Sequence, residues 1–358
     1  MCTIQIVPRL PPAIDGVGDY ACSLAQQMHR DFGNSTRFIV GDPSWNGSRN
    51  IDGFLVTRLD HRSADALTIL LNQHPSSTIL LHYVGYGYAN RGCPYWLIKG
   101  LENWKHQNKA ARLVTMFHEI YASGPIWTSS FWLSQFQRKI AENLVRISDS
   151  LVTSRQPYAD TLYKLSKGRH TKSPVLPVFS SIGEPDVTSS LADRNRHIVV
   201  FGGKAKRLRV YQQSLPALHY ACEQLGIEKI IDIGPPVDLD VSRLTLYPLQ
   251  QMGLQPLEEI SKILSNSIAG FLSYNPNFLE KSTIFASYCA HRMLPVNAIS
   301  IKQPIDSIMP GKHYWFIDST QPRSVKLPNA QSIADEAHGW YCNHNIKKQA
   351  QFFGLALR

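Results

Sequence analysis

The sequence predicts an α/β protein built from two doubly wound domains. Short apolar runs typical of strands alternate with segments of helical periodicity along both halves of the chain, an order that favours parallel sheets with crossover helices. A stretch rich in Pro, Ser, Thr and Asp at 171–196 interrupts the alternation and indicates a linker. The 358 residues also exceed what a single core usually supports. We therefore expect two domains that meet at this linker.

Apolar periodicity places the individual elements. In the first half we predict strands at 3–7, 36–40, 53–58, 78–84, 112–117 and 150–153, and helices at 17–32, 63–73, 95–109, 130–148 and 157–165. In the second half we predict strands at 197–201, 229–233, 268–272 and 294–296, and helices at 210–225, 256–265 and from Glu280 onward. Two more helices are expected at 332–343 and 346–357.

Composition excludes several classes of protein. Hydrophobic residues make up 43% of the chain and aromatic residues 10%, which excludes a disordered protein. The six cysteines show no CxxC spacing, so we expect reduced thiols in a cytoplasmic protein rather than a zinc ribbon. The sequence has no signal-peptide pattern, and no apolar run approaches the roughly 18–20 residues that span a bilayer. We expect a soluble or peripheral protein.

The charge balance favours an anionic partner. The formal net charge is +10 and the pI is about 9.3, which suits a nucleotide diphosphate, an anionic membrane surface or nucleic acid. The sequence has no dense basic arm, no RNP-type signature and no zinc-finger spacing. We therefore expect no nucleic-acid partner.

A glycine-bearing loop follows the first predicted strand. Gly16 and Gly18 precede the first helix, where free backbone N–H groups would suit an anion. The spacing is not the dinucleotide fingerprint, because no third glycine follows. A turn that needs only backbone freedom would explain the two glycines equally well.

Polar and aromatic side chains follow two other strands. The loop 82–92, rich in Gly and Tyr, suits sugar stacking and a packed surface turn equally well. His118 and Glu119 follow the strand 112–117; a lone His there is usually structural, and no second His lies at i+4 to make a metal motif. Beyond them, either an acceptor cleft or ordinary core packing would suit Trp127, Phe131 and Trp132.

A basic run follows a strand of the second half. Gly202-Gly203 end that strand, and the cations that follow are Lys204, Lys206, Arg207 and Arg209. Glycines and cations at a helix start meet a diphosphate with backbone dipoles and side-chain charge together. A charge run is more often a solvated face. Its position between a strand end and a helix favours phosphate binding here.

The stretch 268–296 combines a buried strand, a loop and an acidic helix start. We predict Glu280 in the first turn of that helix, where a carboxylate suits the helix dipole. This layout would place Glu280 beyond the carboxyl ends of a parallel sheet, where open α/β sheets bind ligands. The pattern alone would equally fit a simple helix-start carboxylate. Leu294-Pro295-Val296 then begins the next strand.

These segments resemble the retaining glycosyltransferases of the GT-B type, particularly family four. Glu280 falls on the first Glu of that family's motif, in which two Glu are separated by seven residues, and Pro295-Val296 lie at the expected distance. Tyr288 replaces the second Glu. The run 15–20 resembles the first glycine loop of the family, and His118 resembles its histidine near the donor sugar. The resemblance implies a GT-B fold, two Rossmann-like doubly wound domains facing across a cleft.

The resemblance also implies roles for individual residues. It implies a catalytic set of His118, Glu280, Arg209 and Lys204. The residues that it implies in donor binding are Gly16, Gly18, Gly202, Gly203, Arg207, Ser282, Thr283 and Tyr288. In the family the second Glu holds the ribose of the nucleotide, so Tyr288 removes that contact and leaves the sugar contact of the first Glu. The resemblance implies no metal site. Asp238-Leu239-Asp240 has the Asp-x-Asp pattern of a metal motif, but it lies in the wrong half of the chain for that role.

The activity that the resemblance implies is hexosyl transfer with retention and without a metal. The donor would be a nucleotide-diphosphate sugar, no other cofactor is implied, and the acceptor would be a saccharide or a lipid-linked molecule of polysaccharide or cell-envelope glycan synthesis. Tyr288 keeps an alternative open, a catalytically inactive GT-B-shaped binding or scaffold protein. We expect a cytoplasmic location, with peripheral binding to an anionic inner membrane face as an option.

We expect four segments along the chain. An acceptor-binding domain at 1–178 and a nucleotide-sugar-binding domain at 197–333 are joined by a linker at 179–196. The final helices, 334–358, are expected to cross back to the first domain.

Overall fold

The computed structural model describes residues 2–74, 77–122, 129–170, 173–299, 307–317 and 327–357. The chain forms two compact units. The N-unit comprises Met1–Pro177 and Ile346–Arg358, and the C-unit comprises Val178–Asn345. Within the described ranges, no helix combines the length and the apolar character needed to cross a membrane.

A seven-stranded sheet organises the N-unit. Its strands are β1 (Cys2–Val7), β2 (Ser35–Val40), β3 (Asn50–Ile51), β4 (Phe54–Arg58), β5 (Thr78–Tyr83), β6 (Leu113–Phe117) and β7 (Ser150–Thr153), in the order β3-β4-β2-β1-β5-β6-β7. All neighbours pair in parallel except β3 and β4. The winding reverses between β1 and β5, which is where open α/β sheets leave a crevice for ligands.

Helices cover this sheet. They are α1 (Gly16–Phe32), α2 (Ala64–Asn72), the single turn α3 (Gly85–Tyr88), α4 (Tyr95–Gln107), α5 (Ser129–Ile147) and α6 (Gln156–Leu165). Strands β5 and β6 are buried along their whole length, as expected of central parallel strands. The core between sheet and helices includes Ile79, Leu101 and the fully buried Trp104.

A six-stranded parallel sheet organises the C-unit. Its strands are β8 (Asn195–Phe201), β9 (Lys229–Ile233), β10 (Leu249–Gly253), β11 (Ser267–Leu272), β12 (Leu294–Asn297) and β13 (Trp315–Phe316), in the order β10-β9-β8-β11-β12-β13. The helices are α7 (Lys204–Gln213), α8 (Leu215–Leu225), α9 (Leu257–Ser265), α10 (Thr283–Ala290) and α11 (Leu327–Cys342). The winding reverses between β8 and β11. The last helix, α12 (Ile346–Ala356), belongs to the N-unit and packs against α1.

The α/β class and the doubly wound sheets predicted from the sequence are confirmed. The elements β3, α3, β10 and β13 were not predicted. Three of them have only two to four residues and carry no readable periodicity, and β10, with the sequence LQQMG, lacks an apolar run. Segment 179–196 is not a free linker, since Leu191 packs in the core of the C-unit and Arg194 donates to the carbonyl groups of Ser267 and His291.

Three predicted boundaries in the C-unit are wrong. The helix predicted at 210–225 is two helices, because Pro216 in the first turn of α8 cannot continue α7, and α7 begins earlier, at Lys204. Glu280 precedes its helix and lies in a 3₁₀ turn, Pro276–Lys281, while Ser282 caps α10. Residues 334–345 stay in the C-unit, since α11 packs against α10 and β12.

The two glycines at the start of α1 make a matched test of this packing. A Cβ at position 18 would lie 2.2 Å from the carbonyl oxygen of Arg9, whereas a Cβ at position 16 would meet no atom within 4 Å. We expect Gly18→Ala to lower the free energy of unfolding by about 1–3 kcal/mol, as overpacking does. Gly16→Ala should leave it unchanged or raise it by up to about 1 kcal/mol. Urea denaturation of both variants measures the difference, and equal effects would contradict this packing.

Candidate functional site

Each unit has an edge where its parallel strands end. We call residues 8–19, 41–45, 59–63, 82–88 and 118–122, which end or follow β1, β2, β4, β5 and β6, the N-edge. We call residues 202–209 and 273–284, which follow β8 and β11, the C-edge. Residues from distant parts of the chain meet at such an edge because all the carboxyl ends point the same way.

His118 lies at the N-edge, directly after β6. Its backbone N–H donates to the carbonyl oxygen of Tyr83 at 3.0 Å, which holds it beside β5. Its side chain is 7% exposed, and its Nε2 lies 3.1 Å from Nδ1 of the fully buried His82. The ring of Tyr20, on α1, packs edge-on against it at 5.1 Å between centroids. The structure thus brings His118 together with the helix that follows the glycine loop. Trp127 and the side chains of Phe131 and Trp132 lie outside the described residues.

The start of α1 does not suit an anion. The carboxylate of Asp15 accepts hydrogen bonds from the backbone N–H groups of Val17 and Gly18, at 2.9 and 3.1 Å. Asp19 adds a second acid in the first turn. Because the helix end is already capped and negative, its N–H groups do not favour the expected phosphate contact of Gly16 and Gly18, which stays a prediction. Gly18 allows the close approach of Arg9, while Gly16 borders open space.

Two arginines of the N-edge share one carboxylate. Arg9 Nε lies 2.7 Å from Asp42, and Arg62 Nη2 lies 3.5 Å from it. Burial would raise the pKa of Asp42, but hydrogen bonds from Ser44 and the two guanidinium groups lower it overall. The cluster keeps a net positive charge. The sequence gives no signal for it, because its members lie 20 and 33 residues apart.

Glu280 lies at the C-edge and is 3% exposed. Its Oε1 accepts a hydrogen bond from the hydroxyl group of Ser307 at 3.0 Å, and Ser307 in turn accepts from the indole N–H of Trp340 at 3.2 Å. The backbone carbonyl of Glu280 accepts from the N–H of Val178 at 2.9 Å. These bonds hold a buried carboxylate in place beside the start of α10.

A small crevice opens between the ends of β8 and β11. Its lining includes Phe201, Lys206, Ser273, Tyr274, Ser282 and Ile284. Lys206 Nζ lies 4.4 Å from the centre of the Tyr274 ring, within the range of a cation–π contact. Gly202 has a φ of 130°, and a Cβ there would lie 2.6 Å from Cδ1 of Ile284. A glycine is therefore needed for α10 to come this close.

The start of α7 differs from that of α1. Gly203 is its N-cap, no side chain caps it, and no acid lies in its first turn. Lys204, Lys206 and Arg209 are exposed along it. Lys204 forms an ion pair with the exposed Asp238. Uncapped N–H groups and cations together make this helix end the better anion site of the two.

Solved structures resemble the whole chain. A glycosyltransferase from Rickettsia africae ESF-5 aligns with a TM-score of 0.64 and 11% identity, over 99% of this chain and 97% of its own. The fold is that of the GT-B glycosyltransferases. An alpha-glucosyltransferase in complex with UDP and a 13-mer DNA aligns with a TM-score of 0.57 and 12% identity, over 99% of both chains. At these identities the likeness shows the fold alone.

A third structure of the same kind is the pneumococcal O-GlcNAc transferase GtfA in complex with UDP and GlcNAc. It aligns with a TM-score of 0.51 and 11% identity, over 100% of this chain and 96% of its own.

No protein-family model matches the sequence, and a search of curated proteins finds no significant match.

Arg207 lines the crevice, but a buried carboxylate binds its guanidinium group. It is 2% exposed, and its guanidinium group bonds both oxygens of the buried Asp232, at 3.0 and 2.5 Å. The hydroxyl group of Tyr211 donates to the same carboxylate at 2.6 Å, and Arg207 also donates to the carbonyl oxygen of Pro235. Asp232, on β9, thus engages Arg207 at the edge of the core, and the donor contact of Arg207 stays a prediction.

Tyr288 is not placed to bind a ligand. It is 0% exposed, and its hydroxyl group lies 3.1 Å from the carbonyl oxygen of Val199 and 3.2 Å from that of Phe271. The ring covers Gly270, where a Cβ would approach it to 2.5 Å. The predicted donor contact is wrong because the side chain fills the space that Gly270 leaves.

In the described part of the chain, no three metal-ligating side chains converge.

The neighbouring arginines of α7 test this assignment. We expect Arg207→Met to lower the free energy of unfolding by about 3–5 kcal/mol, because it leaves the Asp232 carboxylate buried without its countercharge. Arg209→Met, on the exposed face, should change it by less than about 0.5 kcal/mol. Urea denaturation followed by circular dichroism measures both. A small effect of Arg207→Met would show that Arg207 is not structural.

Proposed function

We propose that the protein is a retaining, metal-independent glycosyltransferase. It transfers a sugar from a nucleotide-diphosphate sugar to a saccharide or lipid-linked acceptor in polysaccharide or cell-envelope glycan synthesis. The observation that carries this proposal is the C-edge, where the neighbouring strands β8 and β11 end, the first followed by an uncapped, cationic helix start and the second by the buried carboxylate of Glu280. A sugar diphosphate is a ligand with hydroxyl groups at one end and negative charge at the other. The two neighbours solved with UDP support a nucleotide donor.

The start of α7 is proposed to hold the diphosphate. Backbone N–H groups after Gly202 and Gly203 and the cations Lys204 and Arg209 would stabilise the negative charge that develops on the leaving group. The ion pair of Lys204 with Asp238 is exposed and therefore weak, so Lys204 can turn to a phosphate. Lys206, over Tyr274, lines the crevice and adds a third cation. Cationic side chains can thus serve the role that a metal ion serves elsewhere.

Glu280 is proposed to bind the donor sugar. A carboxylate accepts hydrogen bonds from sugar hydroxyl groups, and its bond from Ser307 fixes its orientation before the sugar arrives. Ser282 and Thr283, at the start of α10, are proposed to contact the donor beside it. The departing diphosphate is proposed to take the proton of the acceptor hydroxyl group, so the bond to the acceptor forms as the bond to the diphosphate breaks.

Charge supports an anionic acceptor or an anionic surface for the N-unit. Of the 37 Lys and Arg, 22 lie in the N-unit against 12 of the 27 Asp and Glu, which leaves 15 of each in the C-unit. The whole net charge of the chain therefore belongs to the N-unit, and Arg9 and Arg62 contribute to it at the N-edge. A phosphate-bearing, lipid-linked acceptor fits this charge.

We expected no nucleic-acid partner, but nucleic acid is retained as a candidate acceptor. The alpha-glucosyltransferase neighbour was solved with DNA, and a polyanion of that kind also suits the charge of the N-unit. DNA therefore belongs among the acceptors to be tried.

The alternative function is a catalytically inactive GT-B-shaped binding protein. Tyr288 favours it, because the residue that replaces the second Glu of the resembled motif packs in the core and binds no ribose. Donor binding without transfer to any acceptor would support this alternative. If transfer occurs, NMR of the anomeric proton of the product distinguishes retention from inversion.

A ligand panel tests the proposed donor site. Thermal unfolding is measured with UDP-, GDP-, ADP- and TDP-sugars and the free diphosphates, on the wild type, Glu280→Gln and the half-exposed control Glu259→Gln. At 100 times its dissociation constant the true donor should stabilise the protein by about 2.7 kcal/mol. We expect Glu280→Gln to weaken the shift caused by the intact sugar and to spare that of the free diphosphate, with no change in Glu259→Gln. If no ligand shifts the wild type, the proposal is wrong.

A further inference from the structure

Two arginines of the N-edge are held side by side by one carboxylate. Arg9 Nε lies 2.7 Å from Oδ2 of Asp42, and Arg62 Nη2 lies 3.5 Å from Oδ1 of the same group. The carboxylate is nearly buried, whereas the side chains of Arg9 and Arg62 are 44% and 29% exposed. One carboxylate cannot neutralise two guanidinium groups, so the cluster presents one net positive charge to solvent.

The backbone around Asp42 fixes the cluster. The N–H of Asp42 donates to the carbonyl oxygen of Pro8 at 3.1 Å, which joins the loops that follow β1 and β2. The N–H and hydroxyl groups of Ser44 donate to Oδ1 of Asp42, at 3.0 and 2.8 Å. Arg62 Nε donates to the carbonyl oxygen of Gly41 at 3.3 Å. The guanidinium groups are therefore held in place before a ligand arrives, which lowers the entropy cost of binding one.

Most N–H donors of the two arginines remain available. Arg9 uses Nε for Asp42, and neither of its Nη groups hydrogen-bonds a described residue. In the described part of the chain, Arg62 Nη1 makes no hydrogen bond either. The Nη groups carry most of the donors of a guanidinium group. The cluster thus offers donors from two loops to a single ligand.

These donors select a phosphoryl group. A carboxylate is satisfied by the parallel N–H groups of a single guanidinium group, whereas a phosphoryl group has more acceptor oxygens and can bind two guanidinium groups at once. Asp15 and Asp19 make the start of α1 negative, which confines an anion to the side of the arginines. Arg9 follows β1, where the winding reverses, so this anion would lie at the rim of the N-unit crevice on the side of β2.

We propose that Arg9 and Arg62, aligned by Asp42, bind a phosphoryl group of the acceptor. The donor diphosphate is assigned to the C-edge, so this is a second anion site, in the other unit. It holds the acceptor by its charged end and leaves the acceptor's hydroxyl groups to the carboxylates at the start of α1, which accept hydrogen bonds. That the phosphate belongs to the acceptor rests on the proposed function, whereas the phosphate site itself does not.

NMR of the full chain labelled with ¹⁵N-arginine tests the site without any donor. Glycerol 3-phosphate is titrated at constant ionic strength, since salt screens exposed charges. We expect the Nε signals of Arg9 and Arg62 to shift saturably, and that of the exposed Arg30, in the last turn of α1, to stay in place. Equal shifts at all three arginines, or shifts that do not saturate, overturn the proposal.

Matched variants test the two contacts in the same titration. Arg9→Met and Arg62→Met should each weaken the binding of glycerol 3-phosphate about 10-fold, as the loss of a charge-assisted hydrogen bond does, and the control Arg30→Met should not. Both arginines of the cluster are partly exposed, so the variants are expected to fold, and circular dichroism checks this. Unchanged affinity in Arg62→Met overturns the proposal.

Vesicles distinguish the two sources of such a phosphoryl group, a soluble sugar phosphate and a lipid head group. Co-sedimentation with phosphatidylglycerol vesicles that is lost in Arg62→Met and kept in Arg30→Met would assign the site to a lipid head group. Binding of glycerol 3-phosphate without co-sedimentation would assign it to a soluble phosphorylated acceptor. A short DNA duplex that binds through Arg9 and Arg62 more tightly than either probe would contradict the choice of a single phosphoryl group, and so would the failure of both probes to bind.

Transfer assays test whether the phosphate is that of the acceptor. A donor from the panel is used with an acceptor in its phosphorylated and dephosphorylated forms. Arg62→Met should reduce the preference in kcat/KM for the phosphorylated form about 10-fold, through KM, and Arg30→Met should leave it unchanged. An equal loss on both forms would contradict the acceptor assignment. If the protein transfers no sugar, the proposed function fails, while the NMR titration still decides whether the phosphate site exists.

Discussion

Parallel strand pairing is the constraint on which the rest of the structure depends. It sends the carboxyl ends of all strands in a sheet to one edge, and the reversal of winding beside β1 and β8 opens that edge to a ligand. The start of α7, which follows β8, and Glu280, which follows β11, both lie at the C-edge for this reason, although Lys204 and Glu280 are 76 positions apart in the sequence. His82, His118 and Arg9 reach the N-edge in the same way.

The N-edge and the C-edge differ in the charge at their helix starts. Asp15 caps α1 with a carboxylate, while α7 starts at Gly203 without a side-chain cap and is followed by cations. The first helix start therefore suits hydroxyl groups and the second suits a diphosphate. Inside the C-unit, the pairing of Arg207 with Asp232 removes one cation from the surface, so the proposed diphosphate site depends on Lys204, Lys206 and Arg209. The N-unit keeps the net charge of the chain.

Most strands were predictable to within one or two residues because each is a short apolar run with polar ends, whereas β3, β10 and β13, which are very short or polar, were not. Which of two similar side chains faces a ligand was not predictable. Arg207 and Arg209 are two positions apart, and Asp232, on another strand, decides that Arg207 is buried. Tyr288 fills a space that exists only because Gly270 lies opposite it. Local sequence also gave no signal for the Arg9, Arg62 and Asp42 cluster, whose members meet only through the fold.

The most direct measurement is methyl NMR of the isoleucine δ1 groups during titration with nucleotide sugars. Ile284 Cδ1 lies against Gly202 at the C-edge, and Ile79 lies in the core of the N-unit. If the C-edge binds the donor, at least one nucleotide sugar will shift the Ile284 signal in a saturable way and leave that of Ile79 in place. Saturable binding of a nucleotide sugar that leaves Ile284 unmoved would contradict the assignment of the donor site.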